Sequence, residues 1–171
     1  IDELNIFKNI FIQPASGDAG GSLGAALAAN YLYFNNLKDL KNNDFFSAYL
    51  GPEYTHKDLV KFNNTKKVNP IQFTTINDHA KYLAEKLSRG KIIGLHQGRM
   101  EFGPRALGNR SILADPRSPE MLRTLNLSIK KREGFRPFAP VLLEEDYSLF
   151  FGDSTQKPYM TFAKKILHKY Q

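Results

Sequence analysis

The chain has 171 residues, a length that accommodates one ordinary domain or two small ones. Apolar residues make up 42% of the sequence and charged residues 24%, so disorder of the whole chain and collagen-like repeats are excluded. The absence of cysteine excludes disulfides, thiolate metal sites and a cysteine nucleophile. No apolar run reaches the roughly 18 residues that span a bilayer, so we expect a cytoplasmic protein without a membrane partner.

The net charge of +7 is concentrated in one stretch, residues 89–136. All eight arginines lie there, with three of the sixteen lysines, against four acidic residues. Arginine presents a rigid planar fork that binds phosphate or carboxylate oxygens through two hydrogen bonds, which lysine cannot imitate. The stretch therefore predicts an anion-binding surface, with a solvated basic face as the alternative.

The first part of the chain predicts a strand, a turn and a helix. Residues 6–12 are a short apolar run typical of a buried strand, and residues 13–18 have turn composition. Residues 19–33 are rich in alanine and leucine and predict a helix. Its expected packing face comprises Leu23, Ala26, Leu27 and Tyr31. A linker is predicted at residues 51–75, with one or two helical turns at residues 55–62.

Three further helices follow from spacing and caps. Apolar residues at helical spacing predict a helix that Asn77 or Asp78 caps and that Gly90 ends. Ser118 as a cap and Pro119 at the first position predict the start of the next helix. The apolar side of that helix would comprise Leu122, Leu125 and Ile129. Residues 144–151 predict a last, short helix.

Two strands complete the prediction. Residues 91–96 indicate a central strand, and residues 138–143 indicate a second strand that could lie beside it. The alternation of helices and strands predicts an α/β or α+β fold.

A glycine-rich turn, which contains Gly17, Asp18, Gly20 and Gly21, separates the first predicted strand from the first helix. Backbone N–H groups and the helix dipole can hold a phosphate at such a place. The spacing fits neither the P-loop nor G-x-G-x-x-G, so nucleotide binding and a tight packing turn both stay open. Asp18 either caps the helix or offers one carboxylate to a metal, and one carboxylate makes no metal site.

The loop of residues 97–111, here called the arginine loop, carries Arg99, Arg105 and Arg110. Its glycines let the backbone approach a ligand, and the three arginines can converge on one anion. Glu101 is the only acid in the loop, and we expect it to orient one arginine. The alternative is a loop held together by arginine–glutamate and arginine–carbonyl pairs.

A second basic segment, residues 130–140, leads from a predicted helix end into a predicted strand. If that strand lies beside residues 91–96, Lys130, Arg132 and Arg136 share one cleft with the arginine loop. The four histidines show no metal spacing. Only His96, at the end of the strand that leads into the arginine loop, stands out.

These segments resemble those of a known family. Residues 98–112 are similar, almost letter for letter, to the signature of the O-carbamoyltransferases of the nodulation-factor, cephamycin and tobramycin type. Residues 115–117 and 135–140 also match, and residues 14–20 are similar to the end of that family's catalytic domain. The resemblance touches nearly the whole chain.

The resemblance implies a two-domain enzyme. Residues 1–50 would be the C-terminal end of an actin-like ATPase domain, which binds a nucleotide and a metal and transfers the carbamoyl group. Residues 51–75 would be a linker. Residues 76–171 would be a YrdC-like domain, truncated at its C-terminus, in which a mixed twisted sheet with helices makes carbamoyladenylate from carbamoyl phosphate and ATP. The expected partners are small-molecule substrates and the remainder of the polypeptide.

The resemblance also implies roles for individual residues. The catalytic pocket would be lined by Arg99, Arg105, Arg110, Lys130, Arg132 and Arg136. The nucleotide would be bound by Gly17, Gly20, Gly21, Arg105 and Arg110. Asp18 would be the last ligand of a divalent metal, iron or magnesium, in the full-length enzyme only. The family's His-x-x-x-His pair and its Asn-Thr-Ser-Phe-Asn stretch are missing from the sequence, so we expect a fragment that does not complete a turnover.

Two other functions stay open. The basic stretch also fits a nucleic-acid-binding module, although its aromatic residues, Phe102 and Phe135, offer little for base stacking. A purely structural domain would bind no ligand. No residue indicates which hydroxyl compound would accept the carbamoyl group.

Overall fold

The computed structural model describes residue 4 and residues 6–36, 47–152 and 158–170. Its contacts divide the chain into two compact bodies. The first body comprises Ile1–Gly51, Glu101–Leu107 and Leu143–Gln171, and the second comprises Pro52–Met100 and Gly108–Leu142. The middle of the arginine loop thus belongs to the first body and its two ends belong to the second. The domain boundaries predicted at residues 50 and 75 stay a prediction.

The described residues combine helices with a small antiparallel sheet, consistent with the predicted α+β class. The helices are α1 (Asp18–Ala28), α2 (His56–Lys66), α3 (Ile76–Ser88), α4 (Met121–Thr124) and α5 (Tyr147–Phe151). The strands are β1 (Ile93–His96) and β2 (Arg110–Leu113). Within the described ranges, none of the helices has the length and apolar character needed to cross a membrane.

Helix α1 dominates the first body and ends in a wider π-helical turn (Ala29–Tyr33), which confirms the predicted helix. Leu23, Leu27 and Tyr31 are half-buried as expected, whereas Ala26 is exposed. The predicted C-terminal helix is also confirmed, as a 3-10 turn (Glu144–Asp146) that leads into α5. The end of the chain returns to α5, because the Leu167 N–H donates to the Phe150 carbonyl at 2.8 Å.

The buried strand predicted at residues 6–12 is wrong. These residues lie outside any helix or strand, and Phe11 is 68% exposed. A strand needs a neighbouring strand to satisfy its N–H and carbonyl groups. Among the described residues, the one sheet pairs β1 with β2 and includes nothing from this segment.

Helices α2 and α3 of the second body begin at threonines. Thr55 caps α2 and Thr75 caps α3, each accepting a hydrogen bond from the backbone N–H of the aspartate three residues later. Helix α2 is 11 residues long, longer than the predicted one or two turns. It occupies much of the predicted linker.

The cap of α3 is therefore Thr75 rather than Asn77 or Asp78, because the Thr75 hydroxyl is placed to bind the Asp78 N–H at 3.1 Å. The C-terminal end of α3 agrees with the prediction. Gly90 has a φ of 73°, and the N–H groups of Gly90 and Lys91 donate back into the last turn of α3.

Strands β1 and β2 pair antiparallel, with Ile93 opposite Leu113 and His96 opposite Arg110. β1 confirms the predicted strand, but in the described sheet it has one partner and is not central. The second strand predicted at residues 138–143 is wrong, since these residues form no strand and Val141 is 84% exposed. β1 pairs instead with the segment that leaves its own loop, because a hairpin closes at a short separation along the chain.

Helix α4 begins at Met121, three residues after the predicted cap Ser118, and continues as a π-helical turn (Leu125–Ile129). The buried apolar residues are Met121 and Leu125. The predicted apolar side is wrong at Leu122 and Ile129, which are exposed. The wider turn changes the angular spacing that an α-helical pattern assumes.

Candidate functional site

Side-chain amides hold the two ends of the arginine loop together in the second body. The Asn109 Nδ2 donates to the Arg99 carbonyl at 2.6 Å, and the Gln97 Nε2 donates to the Gly108 carbonyl at 3.3 Å. The Gln97 N–H also donates to the Asn109 carbonyl at 3.2 Å, so the pairing of β1 and β2 extends past the strands. Arg99 and Arg110 consequently lie at the two ends of one closed loop.

The middle of the loop is anchored in the first body by a buried carboxylate. Glu101 is 4% exposed, and its Oε1 accepts a hydrogen bond from the Leu107 N–H at 2.5 Å. The Leu107 carbonyl in turn accepts a hydrogen bond from the Tyr49 hydroxyl at 3.0 Å. These bonds fix both backbone groups of Leu107, two residues after Arg105, whose side chain is exposed. That Glu101 orients an arginine stays a prediction.

Gly103 lets the same segment approach the glycine turn closely. Its φ is 110°, and a Cβ added there would lie 2.7 Å from the Cβ of Ala15. The neighbouring Phe102 N–H donates to the Ala48 carbonyl at 2.7 Å. Ala15 and Ala48 are both buried, so the tip of the arginine loop contributes to the packing of the first body.

A buried asparagine organises the second basic segment. Asn126 has no exposed surface and lies in the π-helical turn. Its Oδ1 accepts a hydrogen bond from the Arg132 Nε at 2.7 Å. Its Nδ2 donates to the carbonyls of Gly134 at 3.2 Å and Arg136 at 2.8 Å. One side chain therefore binds three points of the turn at residues 132–136, here called the basic turn.

The backbone brings Arg132 back to Asn126. Lys131 has a φ of 49°, which reverses the chain, and the Arg132 N–H donates to the Asn126 carbonyl at 3.0 Å. The Arg132 guanidinium carbon lies 4.8 Å from the centre of the Phe138 ring. Its terminal amino groups make no hydrogen bond to any described residue. The guanidinium is thus held by the hydrogen bond of its Nε and by its position over the Phe138 ring.

Several other arginines have acidic partners in the second body. Arg117 binds Asp115 at 2.5 Å, and Arg136 Nε lies 2.8 Å from Glu133. Hydrogen bonds from the Arg117 side chain and backbone lower the pKa of Asp115 to about 2. The pKa of Glu133 is lowered by its own backbone N–H and by the charge of Arg136. Arg117, although part of a family motif, is already neutralised.

Two backbone N–H groups of the glycine turn bind carbonyls of the same segment. The Gly20 N–H donates to the Ala15 carbonyl and the Gly21 N–H donates to the Gly17 carbonyl, both at 2.9 Å. A Cβ at Gly20 would collide with the Ala15 carbonyl oxygen and lie 2.6 Å from the Gln13 Oε1. These contacts explain the glycine at position 20 by packing. The predicted nucleotide role of Gly17, Gly20 and Gly21 stays a prediction.

Asp18 lies exposed in the first turn of α1 and makes no capping hydrogen bond, since Gly17 occupies the cap position. In the part of the chain that the structure describes, no three His, Asp, Glu or Cys side chains are grouped to hold a metal. A divalent metal needs several ligands, so the described residues do not fit a metal site. No step proposed below uses a metal.

The structure brings some predicted site residues together. Arg132 and Arg136 are joined through Asn126, and Arg99 and Arg110 through closure of the arginine loop. Lys130 is exposed next to the basic turn. The strand pair that was expected to join the two basic segments does not form. Whether the six predicted catalytic residues share one pocket stays a prediction.

A groove of about 730 Å³ opens beside the end of β1 in the second body. Its wall is mainly apolar and aromatic, with Leu59 and Phe62 of α2 beside Tyr54 and His96. The lining also includes the polar residues Asp58, Lys61 and Thr65. The Tyr54 and His96 rings lie 5.9 Å apart. His96, the histidine that the sequence singles out, thus lines a groove that can accommodate a flat, mostly apolar group.

Asn126 and Asn109 were not predicted as site residues from the sequence. Asn109 lies inside the recognised motif but carries no charge. Asn126 occupies a buried position among apolar residues of a predicted helix, and a polar residue at such a position was the available signal.

Comparison with known proteins identifies the family. Residues 84–171 match the model of the carbamoyltransferase C-terminus. The chain belongs to the carbamoyltransferase family. It is 45% identical over 94% of its length to the nodulation protein NolNO of Sinorhizobium fredii, of which it covers 24%. It is 44% identical over 94% of its length to an uncharacterised Synechocystis protein, sll1178, of which it covers 26%.

A third relative carries an enzymatic name. The 3'-hydroxymethylcephem-O-carbamoyltransferase of Streptomyces clavuligerus is 32% identical over 96% of the chain, which covers 29% of that protein. The chain thus spans between a quarter and three tenths of the length of these curated relatives. The nucleic-acid-binding alternative is not favoured, because the matching family model is the carbamoyltransferase C-terminus and one of these relatives is named for carbamoyl transfer. In addition, several arginines of the basic stretch pair with acids of their own body.

Proposed function

We propose that the protein transfers a carbamoyl group to a hydroxyl acceptor, and that this chain supplies the anion-binding arginines of the reaction. The observation that carries the proposal is the guanidinium of Arg132, which is fixed by the buried Asn126 and lies over the ring of Phe138. An arginine held in this way is preorganised for phosphate or carboxylate oxygens. Family membership of the chain supports the same function.

The proposed substrates are carbamoyl phosphate and ATP. In the first step, carbamoyl phosphate is hydrolysed by water to carbamate and inorganic phosphate. An oxygen of carbamate then attacks the α-phosphorus of ATP and expels pyrophosphate, which gives carbamoyladenylate. The acceptor hydroxyl attacks the carbamoyl carbon and loses its proton as AMP leaves. In the second step the carbamate anion must approach the polyanionic ATP, so fixed cations lower the barrier of that step.

The proposed anion-binding residues form two local sets. In the second body, Arg132 and Arg136 belong to the basic turn and Lys130 lies next to it, while Arg99 and Arg110 lie at the ends of the arginine loop. We propose that both sets, with Arg105 on the anchored middle of the loop, bind phosphate and carbamate oxygens. The groove beside His96 supports ATP binding, since its aromatic wall offers a surface on which a purine can stack.

We further propose the finer architecture that the resemblance implies, with an actin-like domain ending in the first part of the chain and a YrdC-like domain in the second. The remainder of the polypeptide would be the partner of this chain. Large apolar side chains on its surface, such as Leu32 and Ile76, support such a partner, as does the greater length of the relatives.

The proposal is tested by pyrophosphate release from ATP and carbamoyl phosphate in the full-length protein. Arg132→Lys keeps the charge but removes the fork, and we expect kcat/KM for carbamoyl phosphate to fall by about 10- to 100-fold. Arg123→Lys, at an exposed arginine of α4 outside the family motifs, is the matched control and should stay within about twofold. If the two variants were equally active, Arg132 would not belong to the proposed pocket.

A further inference from the structure

We propose that Asn126 is a positioning residue, which fixes the guanidinium of Arg132 so that an anion binds to its two terminal amino groups. The inference rests on the proposed function and assigns a residue that lies outside the recognised motifs. Asn126 itself is fully buried and touches no substrate.

The hydrogen bonds of the Arg132 side chain determine which of its N–H groups can bind an anion. A guanidinium can bind an oxyanion side-on, through Nε and one terminal amino group, or end-on, through both terminal amino groups. The Arg132 Nε donates to the Asn126 Oδ1 at 2.7 Å, so the side-on mode is already occupied. The guanidinium carbon also lies over the ring of Phe138, 4.8 Å from its centre. An anion is therefore bound end-on, by the terminal amino groups.

The same side chain also sets the second arginine of the basic turn. Its Nδ2 holds the carbonyls of Gly134 and Arg136, so the backbone that carries Arg136 is fixed relative to Arg132. The site needs one acceptor and two donors at a single buried point, and an amide side chain supplies both. Aspartate lacks the donors, and alanine lacks all three groups.

The π-helical turn makes this arrangement possible. The Lys130 N–H donates to the Leu125 carbonyl at 2.9 Å, which closes the wider turn around Asn126. Such turns within helices are frequently found at functional sites. Lys131 then reverses the chain with a φ of 49°, which returns Arg132 to the side chain that holds it.

The test is a double-mutant cycle on the dissociation constant of carbamoyl phosphate, measured by calorimetry with the full-length protein. We expect Asn126→Ala to raise this constant about tenfold, because a hydrogen bond to a charged group is lost. In an Arg132→Ala background the same change should raise it by no more than about threefold, because only the hydrogen bonds to the Gly134 and Arg136 carbonyls then remain to be lost. Ser128→Ala, an exposed neighbour in the same turn, should have no effect. Equal losses in both backgrounds, or no loss at all, would overturn the inference.

A second measurement uses protein in which Asn126 is kept. It tests the inference even if the Asn126→Ala variant does not fold. In protein labelled with ¹⁵N arginine, the Arg132 Nε–H signal is assigned by its loss in Arg132→Lys. We expect the Arg132 Nε–H to exchange with water at least tenfold more slowly than the Nε–H of the exposed Arg123. Its signal should keep the same chemical shift when carbamoyl phosphate is added. Exchange as fast as that of Arg123 would contradict the positioning role.

The two proposals fail in different ways. If the wild-type protein releases no pyrophosphate from carbamoyl phosphate and ATP, the proposed function fails. If it releases pyrophosphate but the cycle is additive and the Arg132 Nε–H exchanges rapidly, the positioning role of Asn126 fails and the proposed function stands.

Discussion

At the scale of single residues, Asp115 shows how an acid of the basic stretch is bound by a neighbouring arginine. Its carboxylate receives hydrogen bonds from the Arg117 N–H at 3.0 Å and from the Arg117 Nε at 2.9 Å. The side chain and backbone of Arg117 hold the pKa of Asp115 at about 2, below its ordinary value of 3.8. In the folded state this carboxylate therefore stays ionised at a pH where it is protonated in the unfolded chain.

This difference predicts a specific dependence of stability on pH. Because the folded-state pKa is lowered, the contribution of Asp115 to stability is complete above about pH 4 and is lost as the pH falls through about 2. Asp115→Asn should flatten that interval of the curve of unfolding free energy against pH. Asp18→Asn, which removes an exposed carboxylate of α1, controls for the change in net charge. An unchanged slope in Asp115→Asn would mean that the pair with Arg117 does not form in solution.

Gly103 leads to a second prediction at the same scale. Its φ of 110° and the Ala15 Cβ at 2.7 Å both oppose a side chain. We expect Gly103→Ala to lower the free energy of unfolding by about 1–3 kcal/mol, measured by urea denaturation. Gly24→Ala should instead raise it by about 0.5–1 kcal/mol, because Gly24 lies in α1 with open space around it. Equal effects of the two changes would show that the tip of the arginine loop is not anchored as described.

At the scale of elements, α2 depends strongly on its first turn, since none of its described side chains is buried. The Thr55 hydroxyl accepts a hydrogen bond from the Asp58 N–H, and Asp58 Oδ2 accepts one from the Thr55 N–H at 2.8 Å. The side chain of Thr55 is also the main cause of the lowered pKa of Asp58. The groove beside His96 depends on this helix, which carries Leu59 and Phe62.

We expect Thr55→Ala to destabilise α2 by about 1 kcal/mol, because the first turn loses its cap. Amide hydrogen exchange across residues 56–66 measures the effect, and the pKa of Asp58 should rise toward its ordinary value. Thr65→Ala is the matched control, since the Thr65 hydroxyl only donates to the Lys61 carbonyl of the same helix. Faster exchange in the control than in Thr55→Ala would contradict the importance of the cap.

Helices were predicted better than strands, for a physical reason. The patterns of α1, α3 and α5 are local, because their hydrogen bonds join residues four apart. Strands at residues 6–12 and 138–143 were predicted from apolar runs, but a strand forms only where a partner is present. β2 was missed because residues 110–113 look like the end of a charged loop, and its partner is supplied by β1.

At the scale of the whole molecule, the family and the basic segments could be predicted from the sequence, while the support of the site could not. The arginine motif is long and charged, so it identifies the family without any knowledge of contacts. The roles of Asn126 and Gly103 depend on which backbone groups meet after folding. The periodicity of apolar residues predicts which face of a helix is buried. It does not predict that a side chain hydrogen-bonds to a turn several residues away.

The wider turn at Leu125–Ile129 also has a consequence for how the family tolerates changes in length. One additional residue in a helical turn rotates everything that follows by about 100°. Deleting a single residue from this turn would restore ordinary helical winding and carry Arg132 around to another side, although no arginine had been substituted. We therefore expect this short stretch to accept exchanges of side chain far more readily than a shortening by one position.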